Sequence, residues 1–280
     1  MIRSISARFE LEPGGETISP FATMYYDIQG SGEPLILIPG FASGAWSWSW
    51  QIESLAKDFK VITFDPRGIS RSPITEGETV SISMIADDVV ALLDKLSLPN
   101  AHILGISFGG FVALDFVLRF PKRVNRLVLA STSFGGPNHV APSMQVLAAF
   151  ASTDGLNTAE RIRKYLTVAF SSEFVESNAE DVDRFCEMRE QHFVPRDVYM
   201  QQLQSALSFD VEDQVPAIRA ETLVVTGDKD VVVPTQNSRN LAAAIPSSQL
   251  EIIEGTGHMA FVEKASEFNR IVATFLKEQN

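Results

Sequence analysis

The residues with the clearest chemical potential lie in Gly105-Ile106-Ser107-Phe108-Gly109-Gly110. The spacing is G-x-S-x-G, that of a nucleophile elbow, in which a serine sits on a sharp strand-to-helix turn. The flanking glycines remove Cβ atoms that would collide in so tight a bend. The hydroxyl then lies near a helix N-terminus, where developing negative charge is favoured. A glycine-rich turn can also carry a serine incidentally, and the bare pattern arises in roughly one chain in ten of this length. The setting therefore matters: an apolar run, His102-Ile103-Leu104, precedes the motif, and a helical pattern from Val112 to Arg119 follows it.

A serine hydroxyl needs an adjacent base to attack at neutral pH. Of the four histidines, His102 is five residues before Ser107 on one strand. That separation is roughly 16 Å, beyond hydrogen-bond reach. His139 and His192 fall in a helical stretch, where they could line a pocket or serve structure. His258 instead ends Glu254-Gly255-Thr256-Gly257-His258, a glycine-bearing turn between the last apolar strand and the final helix. It is the expected base. A carboxylate should orient it by accepting its Nδ1–H. Gly227-Asp228-Lys229-Asp230 follows the strand Leu223-Val224-Val225 and offers two, with Asp230 the expected partner and Asp228 the competitor or a turn cap. The tetrahedral oxyanion needs two backbone N–H donors. Phe108, after the nucleophile, supplies one; Phe41, in the Pro39-Gly40-Phe41 turn after the strand Leu35–Ile38, supplies the other.

Positioning these groups requires strands that end at a common edge. Leu35-Ile36-Leu37-Ile38, Val61-Ile62-Thr63-Phe64, His102-Ile103-Leu104 and Leu127-Val128-Leu129 are short, nearly unbroken apolar runs. Such runs suit strands buried on both faces of a parallel sheet. Between them, Ile82, Ile85, Val89, Leu92 and Leu96 recur at helical steps, with Ser81 as N-cap and Pro99 as the stop. Strand, helix, strand in that order implies right-handed βαβ units. From about Gly135 to Val215 the strand signal vanishes, leaving helices broken by Pro137, Pro142, Gly155 and Pro195, with aromatics such as Phe150, Tyr165, Phe170, Phe174, Phe185 and Phe193. Strands resume with Leu223-Val224-Val225 and Leu250–Ile253, and a last helix carries Phe261, Ala265, Phe268, Ile271, Val272 and Phe275. The expected organisation is a core of residues 1–134 and 216–280, interrupted by a helical cap over 135–215. Such a cap would cover the carboxyl edge of the sheet, where these folds bind ligands.

The chain has 280 residues, 45% hydrophobic and 21% charged, the composition of a globular protein with a substantial core. Its formal charge of -12 repels phosphate backbones and anionic lipid, so neither nucleic acid nor membrane is an expected partner. The expected partner is a small-molecule substrate, and self-association into a homo-oligomer stays open. No apolar run reaches the roughly 18 residues of a membrane helix. The segment Met1–Ser6 lacks a signal-peptide core. The single cysteine, Cys186, can make no internal disulfide and no cysteine-rich zinc site. The expectation is a cytoplasmic protein without metal or cofactor.

Taken together, Pro39-Gly40-Phe41, Asp65-Pro66-Arg67-Gly68, the Ser107 motif, Gly227-Asp228-Lys229-Asp230 and Gly257-His258 give a sequence that resembles the α/β-hydrolase superfamily, in its esterase, lactonase and C–C-bond hydrolase branch. The resemblance spans nearly the whole chain. It implies an α/β fold with a mostly parallel central sheet flanked by helices and an inserted helical cap. It also implies the chain order serine, acid, histidine, with the aspartate of the G-x-x-D turn, here Asp230, as the acid. The chain departs from the family twice: Pro39-Gly40 stands where His-Gly is usual, and Ser70 replaces the second glycine of the D-x-R-G-x-G turn. Haloalkane dehalogenases and epoxide hydrolases share the fold but use an aspartate nucleophile, which Ser107 argues against.

Gly40, Trp46, Phe134 and His139 are expected to line the substrate pocket beside Phe41 and Phe108. An apolar wall suits a hydrophobic acyl group, ring or lactone. The expected activity is hydrolysis of a carboxylic ester or lactone. C–C-bond cleavage of aromatic ring-fission products uses the same residues and is the alternative. A small-molecule receptor or a cofactor-free oxygenase on the same fold is a third reading.

Overall fold

The computed structural model describes residues 5–10, 23–74, 77–151, 158–192 and 194–278. Gly155 and Phe193 lie outside the described residues. Among the described residues eight strands form one sheet: β1 (Ile5–Glu10), β2 (Thr23–Gln29), β3 (Glu33–Ile38), β4 (Phe59–Phe64), β5 (Ala101–Ile106), β6 (Val124–Ala130), β7 (Glu221–Gly227) and β8 (Ser248–Ile253). Their spatial order is β1-β2-β4-β3-β5-β6-β7-β8. β1 and β2 pair antiparallel, as do β2 and β4; every other neighbouring pair is parallel. The loops after β3, β5, β7 and β8 therefore emerge at one edge, and these are the loops that carry Phe41, Ser107, Asp230 and His258.

All six apolar runs read from the sequence are strands, and both faces of the sheet are buried from β3 to β7, with β8 at the edge only partly so. Alternation along each strand sorts the side chains into two cores. Ile36, Ile38, Ile103, Leu127, Leu129 and Val224 face one core, and Leu35, Leu37, Leu104, Val128, Leu223 and Val225 face the other. The helices that cover these faces begin with α1 (Ile52–Leu55), α2 (Ile82–Lys95) and α3 (Phe108–Arg119). Ser81 caps α2 as expected, its hydroxyl accepting from Met84 N–H at 3.3 Å. α2 ends at Lys95, four residues short of Pro99, and α3 starts at Phe108 rather than Val112. Gly109 and Gly110 had hidden its first turn.

Between β6 and β7 the described residues form five helices: α4 (Met144–Ala151), α5 (Thr158–Ala169), α6 (Ser172–Ser177), α7 (Ala179–Glu190) and α8 (Arg196–Leu207). Then follow α9 (Thr235–Ala244), α10 (Ala260–Glu263) and α11 (Ala265–Lys277). The single C-terminal helix expected from the sequence is thus two, broken at Lys264 (φ −128°, ψ 54°). Phe268, Val272 and Phe275 pack on the second core. Among the described residues no helix is long and apolar enough to cross a membrane.

A buried ion pair fixes the turn after β4. Arg67 Nε and Nη2 donate to Asp88 Oδ2 and Oδ1 at 3.0 and 2.8 Å, with side-chain exposures of 2% and 0%. Asp88 lies on α2, so the pair ties that helix to the loop around Asp65. Asp65 in turn accepts from Ala45 N–H at 2.8 Å, bracing the segment that follows Phe41. Removing one partner of such a pair strands a buried charge and costs about 3–5 kcal/mol. Asp88→Ala should lower unfolding free energy by that amount in urea titration, and a loss under about 1 kcal/mol would show that the pair is structurally idle.

Candidate active site

Ser107 sits between β5 and α3 with φ 54° and ψ −118°, a conformation rare for any residue with a side chain. Close approach explains the glycines around it. A Cβ on Gly105 would lie 2.2 Å from Gly109 O, and one on Gly109 would lie 2.3 Å from Ile38 O. The turn is held by its backbone: Ser107 N–H donates to Ala130 O at 2.8 Å, and Ser107 O accepts from Gly110 N–H at 2.9 Å and Thr132 Oγ1 at 2.9 Å. Strain of this kind persists where the surroundings over-determine it, and such places cluster at functional sites.

His258 meets the serine across the sheet edge. Its Nε2 lies 3.0 Å from Ser107 Oγ, and its Nδ1 lies 2.9 Å from Asp230 Oδ2. His258 and Asp230 are 3% and 4% exposed, so water competes little for either bond. Asp230 Oδ1 accepts from Val232 N–H at 3.0 Å and Val233 N–H at 2.8 Å. Those two amides fix the carboxylate so that its other oxygen faces the imidazole. With Nδ1–H donating to that oxygen, Nε2 carries the lone pair toward the serine hydroxyl. Of the two aspartates, Asp230 is the one placed against His258; Asp228 is exposed and its Oδ1 accepts from Thr256 N–H at 3.2 Å.

The turn after β3 adjoins the serine. A Cβ on Gly40 would lie 3.7 Å from Ser107 Cβ. The Phe41 and Phe108 rings meet edge to face at 6.1 Å. Phe108 opens α3, so its N–H belongs to the first turn, which has no acceptor within the helix. The other sequence candidates are placed differently. Trp46 stacks on His192 at 5.3 Å and packs edge-on to Phe185 at 5.2 Å, joining the segment after Phe41 to α7. Phe134 is buried in the same core as Phe108. His139 Nδ1 lies 3.0 Å from Ser133 Oγ, and burial pushes its pKa down. Among the described residues none of these three bonds to Ser107, Asp230 or His258. His102 sits within β5, 2.7 Å from Glu33 Oε2.

Several residues around the site were not marked by the sequence as site candidates. Glu263, one turn beyond His258, accepts from Gly257 N–H at 2.9 Å and from Ser171 Oγ at 2.6 Å. Burial raises its pKa, the repulsion of Asp230 adds to that, and the bonds from Ser171 and Gly257 oppose it. It therefore links the histidine loop to the start of α6. Tyr165, on α5, lies near enough to Asp230 and Arg189 to feel both charges, and burial pushes its hydroxyl up to about 12. Tyr199, on α8, packs edge to face on Phe41 at 4.7 Å. Each is a single polar side chain on a helix, with no motif or spacing to mark it. Among the described residues no group of three or more histidine, cysteine, aspartate or glutamate side chains is placed to hold a metal ion.

This arrangement can be set beside known proteins. The chain is similar to RutD of Variovorax paradoxus (strain S110), which is named as a carbamate hydrolase, at 32% identity over 90% of this chain and 96% of the relative. It is also similar to the 2-hydroxy-6-oxo-6-phenylhexa-2,4-dienoate hydrolase of Comamonas testosteroni, at 28% identity over 91% of this chain and 92% of the relative. Among solved structures, Est816, described as an N-acyl homoserine lactone degrading enzyme, superposes with a TM-score of 0.75 and 28% identity over 90% of this chain and 96% of that one. The model of the α/β-hydrolase fold matches residues 33–265, and with that match the chain belongs to the α/β-hydrolase fold family.

Proposed function

We propose that this protein is a serine hydrolase that cleaves a carboxylic ester or lactone through an acyl-enzyme. The observation that carries the reading is the unbroken relay from Ser107 Oγ through His258 to Asp230, with contacts of 3.0 and 2.9 Å. In this reading His258 Nε2 takes the serine proton as Oγ attacks the carbonyl carbon. The oxyanion forms beside the N–H groups of Phe41 and Phe108. The imidazolium, steadied by Asp230, returns its proton to the leaving alkoxide as the C–O bond breaks. Water then repeats the sequence on the acyl-enzyme and releases the acid. Every proton is carried by His258, so the cycle requires no cofactor.

The segment 135–215 serves in this reading as a cap over the site. Phe41, Phe108 and Tyr199 offer an aromatic wall near Ser107, with Gly40 leaving room for the substrate and with Phe134, Trp46 and His139 as further candidate lining. That wall favours a small substrate with a substantial apolar part. C–C-bond cleavage stays the second reading and carbamate cleavage joins it, because relatives of similar identity carry those names. Both chemistries can use the same hydroxyl, imidazole and carboxylate.

Ser107→Ala should keep its far-ultraviolet circular dichroism and lose turnover of a 4-nitrophenyl ester by about 10⁴-fold or more. An undiminished rate would overturn the assignment. Asp230→Asn tests the acid more sharply. Its amide oxygen can still accept from Val232 and Val233, which turns the NH₂ group toward His258 Nδ1. That forces the proton onto Nε2, the wrong tautomer, and kcat should fall by about 10⁴ with little change in melting temperature. Equal activity of this variant would remove Asp230 from the mechanism. Finally, the wild type should turn over esters or lactones faster than N-substituted carbamates or a ring-fission dienoate in a side-by-side panel. A preference for either of the latter would shift the reading to that bond.

A further inference from the structure

The peptide unit joining Phe41 to Ala42 is gripped at both ends by side chains from the helices between β6 and β7. Its carbonyl, on Phe41, accepts from Arg189 Nη1 at 3.2 Å. Its N–H, on Ala42, donates to Gln202 Oε1 at 2.8 Å. Arg189 belongs to α7 and Gln202 to α8. Arg189 Nη1 also donates to Ser43 Oγ at 2.7 Å, and that hydroxyl donates to the same Phe41 carbonyl at 3.2 Å. Ala42 has φ 47°, in the left-handed region that favours glycine, so the turn needs outside support to keep its shape.

Both gripping groups are unusual places to spend a polar side chain. Gln202 is 1% exposed. Arg189 is partly buried and forms no ion pair among the described residues; desolvation pushes its pKa down, with Tyr165 and Tyr199 opposing. Burying a carboxamide or a guanidinium is costly unless its hydrogen bonds are made. Here both groups bond the same peptide, whose carbonyl belongs to Phe41. Holding that peptide restrains the turn that carries Phe41, and through the turn the preceding Phe41 amide.

We propose that Arg189 and Gln202 are positioning residues, which clamp the Phe41–Ala42 peptide so that the Phe41 N–H is aimed at the oxyanion. The proposal rests on the reading of Ser107 as nucleophile and Phe41 as oxyanion donor. It makes the oxyanion hole depend on the docking of α7 and α8. It also explains how the turn keeps its shape with Pro39 in the place where the family usually has histidine.

α8 supplies its own control. Gln201 Oε1 accepts from Val80 N–H at 2.6 Å and Ser205 Oγ from Ile82 N–H at 3.0 Å, docking the helix near the start of α2 without touching the oxyanion turn. The readout is the second-order rate at which an alkyl fluorophosphonate captures Ser107, because its P=O must enter the oxyanion hole whatever the natural substrate. Outright loss of a donor costs about 10²–10³ in rate. Gln202→Leu, which only releases the clamp, should slow capture by about 10–100-fold. Gln202→Glu, which keeps an acceptor for Ala42 N–H, should recover most of that loss. Gln201→Leu should lower the melting temperature yet leave capture within about twofold of wild type. Arg189→Met, releasing the other end of the peptide, should slow capture as Gln202→Leu does, and it decides the matter if the latter does not fold. Wild-type capture in folded Gln202→Leu, or an equal loss in Gln201→Leu, would overturn the clamp while leaving the serine reading intact. A wild type that is not captured at all would remove both.

Discussion

The strained turn at Ser107 is the constraint from which the rest of the molecule follows. A residue with a side chain at φ 54° is tolerated only because two glycines allow the backbone of β5, the first turn of α3 and the end of β3 to touch. β5 must therefore lie beside β3, and it does, near the centre of the sheet. Once the serine is pinned there, its partners must come from strands that end at the same edge. Parallel pairing from β3 through β8 guarantees this, since each C-terminal loop then points the same way.

The carboxylate and imidazole show how little freedom remains after that. Asp230 and His258 are 28 residues apart in the chain but emerge from the adjacent strands β7 and β8. Two backbone amides hold one oxygen of the carboxylate, so the other can only face the ring. The ring's second nitrogen then falls on the hydroxyl. Low exposure at both residues strengthens the relay, because a hydrogen bond shielded from water is electrostatically stronger than one in solvent. Glu263 adds a third support, tying Gly257, the residue before the histidine, to Ser171 in the helical segment.

How much of this was legible in the sequence depended on whether the signal was local. The six parallel strands announced themselves as short, nearly unbroken apolar runs, although β8 at the sheet edge is only partly buried, and the elbow, the aspartate turn and the glycine–histidine turn as short motifs. β2 was missed because Thr23–Gln29 alternates: Met24 and Tyr26 are buried while Tyr25 and Asp27 are half-exposed, the pattern of an antiparallel strand toward the sheet margin. The break between α10 and α11 was missed because the apolar periodicity of Phe261, Phe268, Val272 and Phe275 runs straight through Lys264. Trp46, expected in the pocket wall, is engaged with Phe185 and His192, a pairing between distant segments that no window of sequence contains.

The least legible part is the one that joins the helical segment to the chemistry. Arg189, Gln202 and Glu263 are ordinary polar residues on helices, and a sequence assigns such residues to solvent by default. Gln202 is buried and Arg189 and Glu263 are partly buried, which has meaning only once the loops they reach are in place. All three end on main-chain atoms of catalytic-edge loops: the Phe41 carbonyl, the Ala42 amide and the Gly257 amide. A helical segment that served only to shut out water could dock through apolar contacts alone, at lower cost than buried polar groups. Polar contacts to backbone instead define direction as well as distance, which is what an oxyanion donor and a general base both require. On the proposed reading, the segment between β6 and β7 is part of the frame that orients the reacting groups, in addition to whatever it does for the substrate.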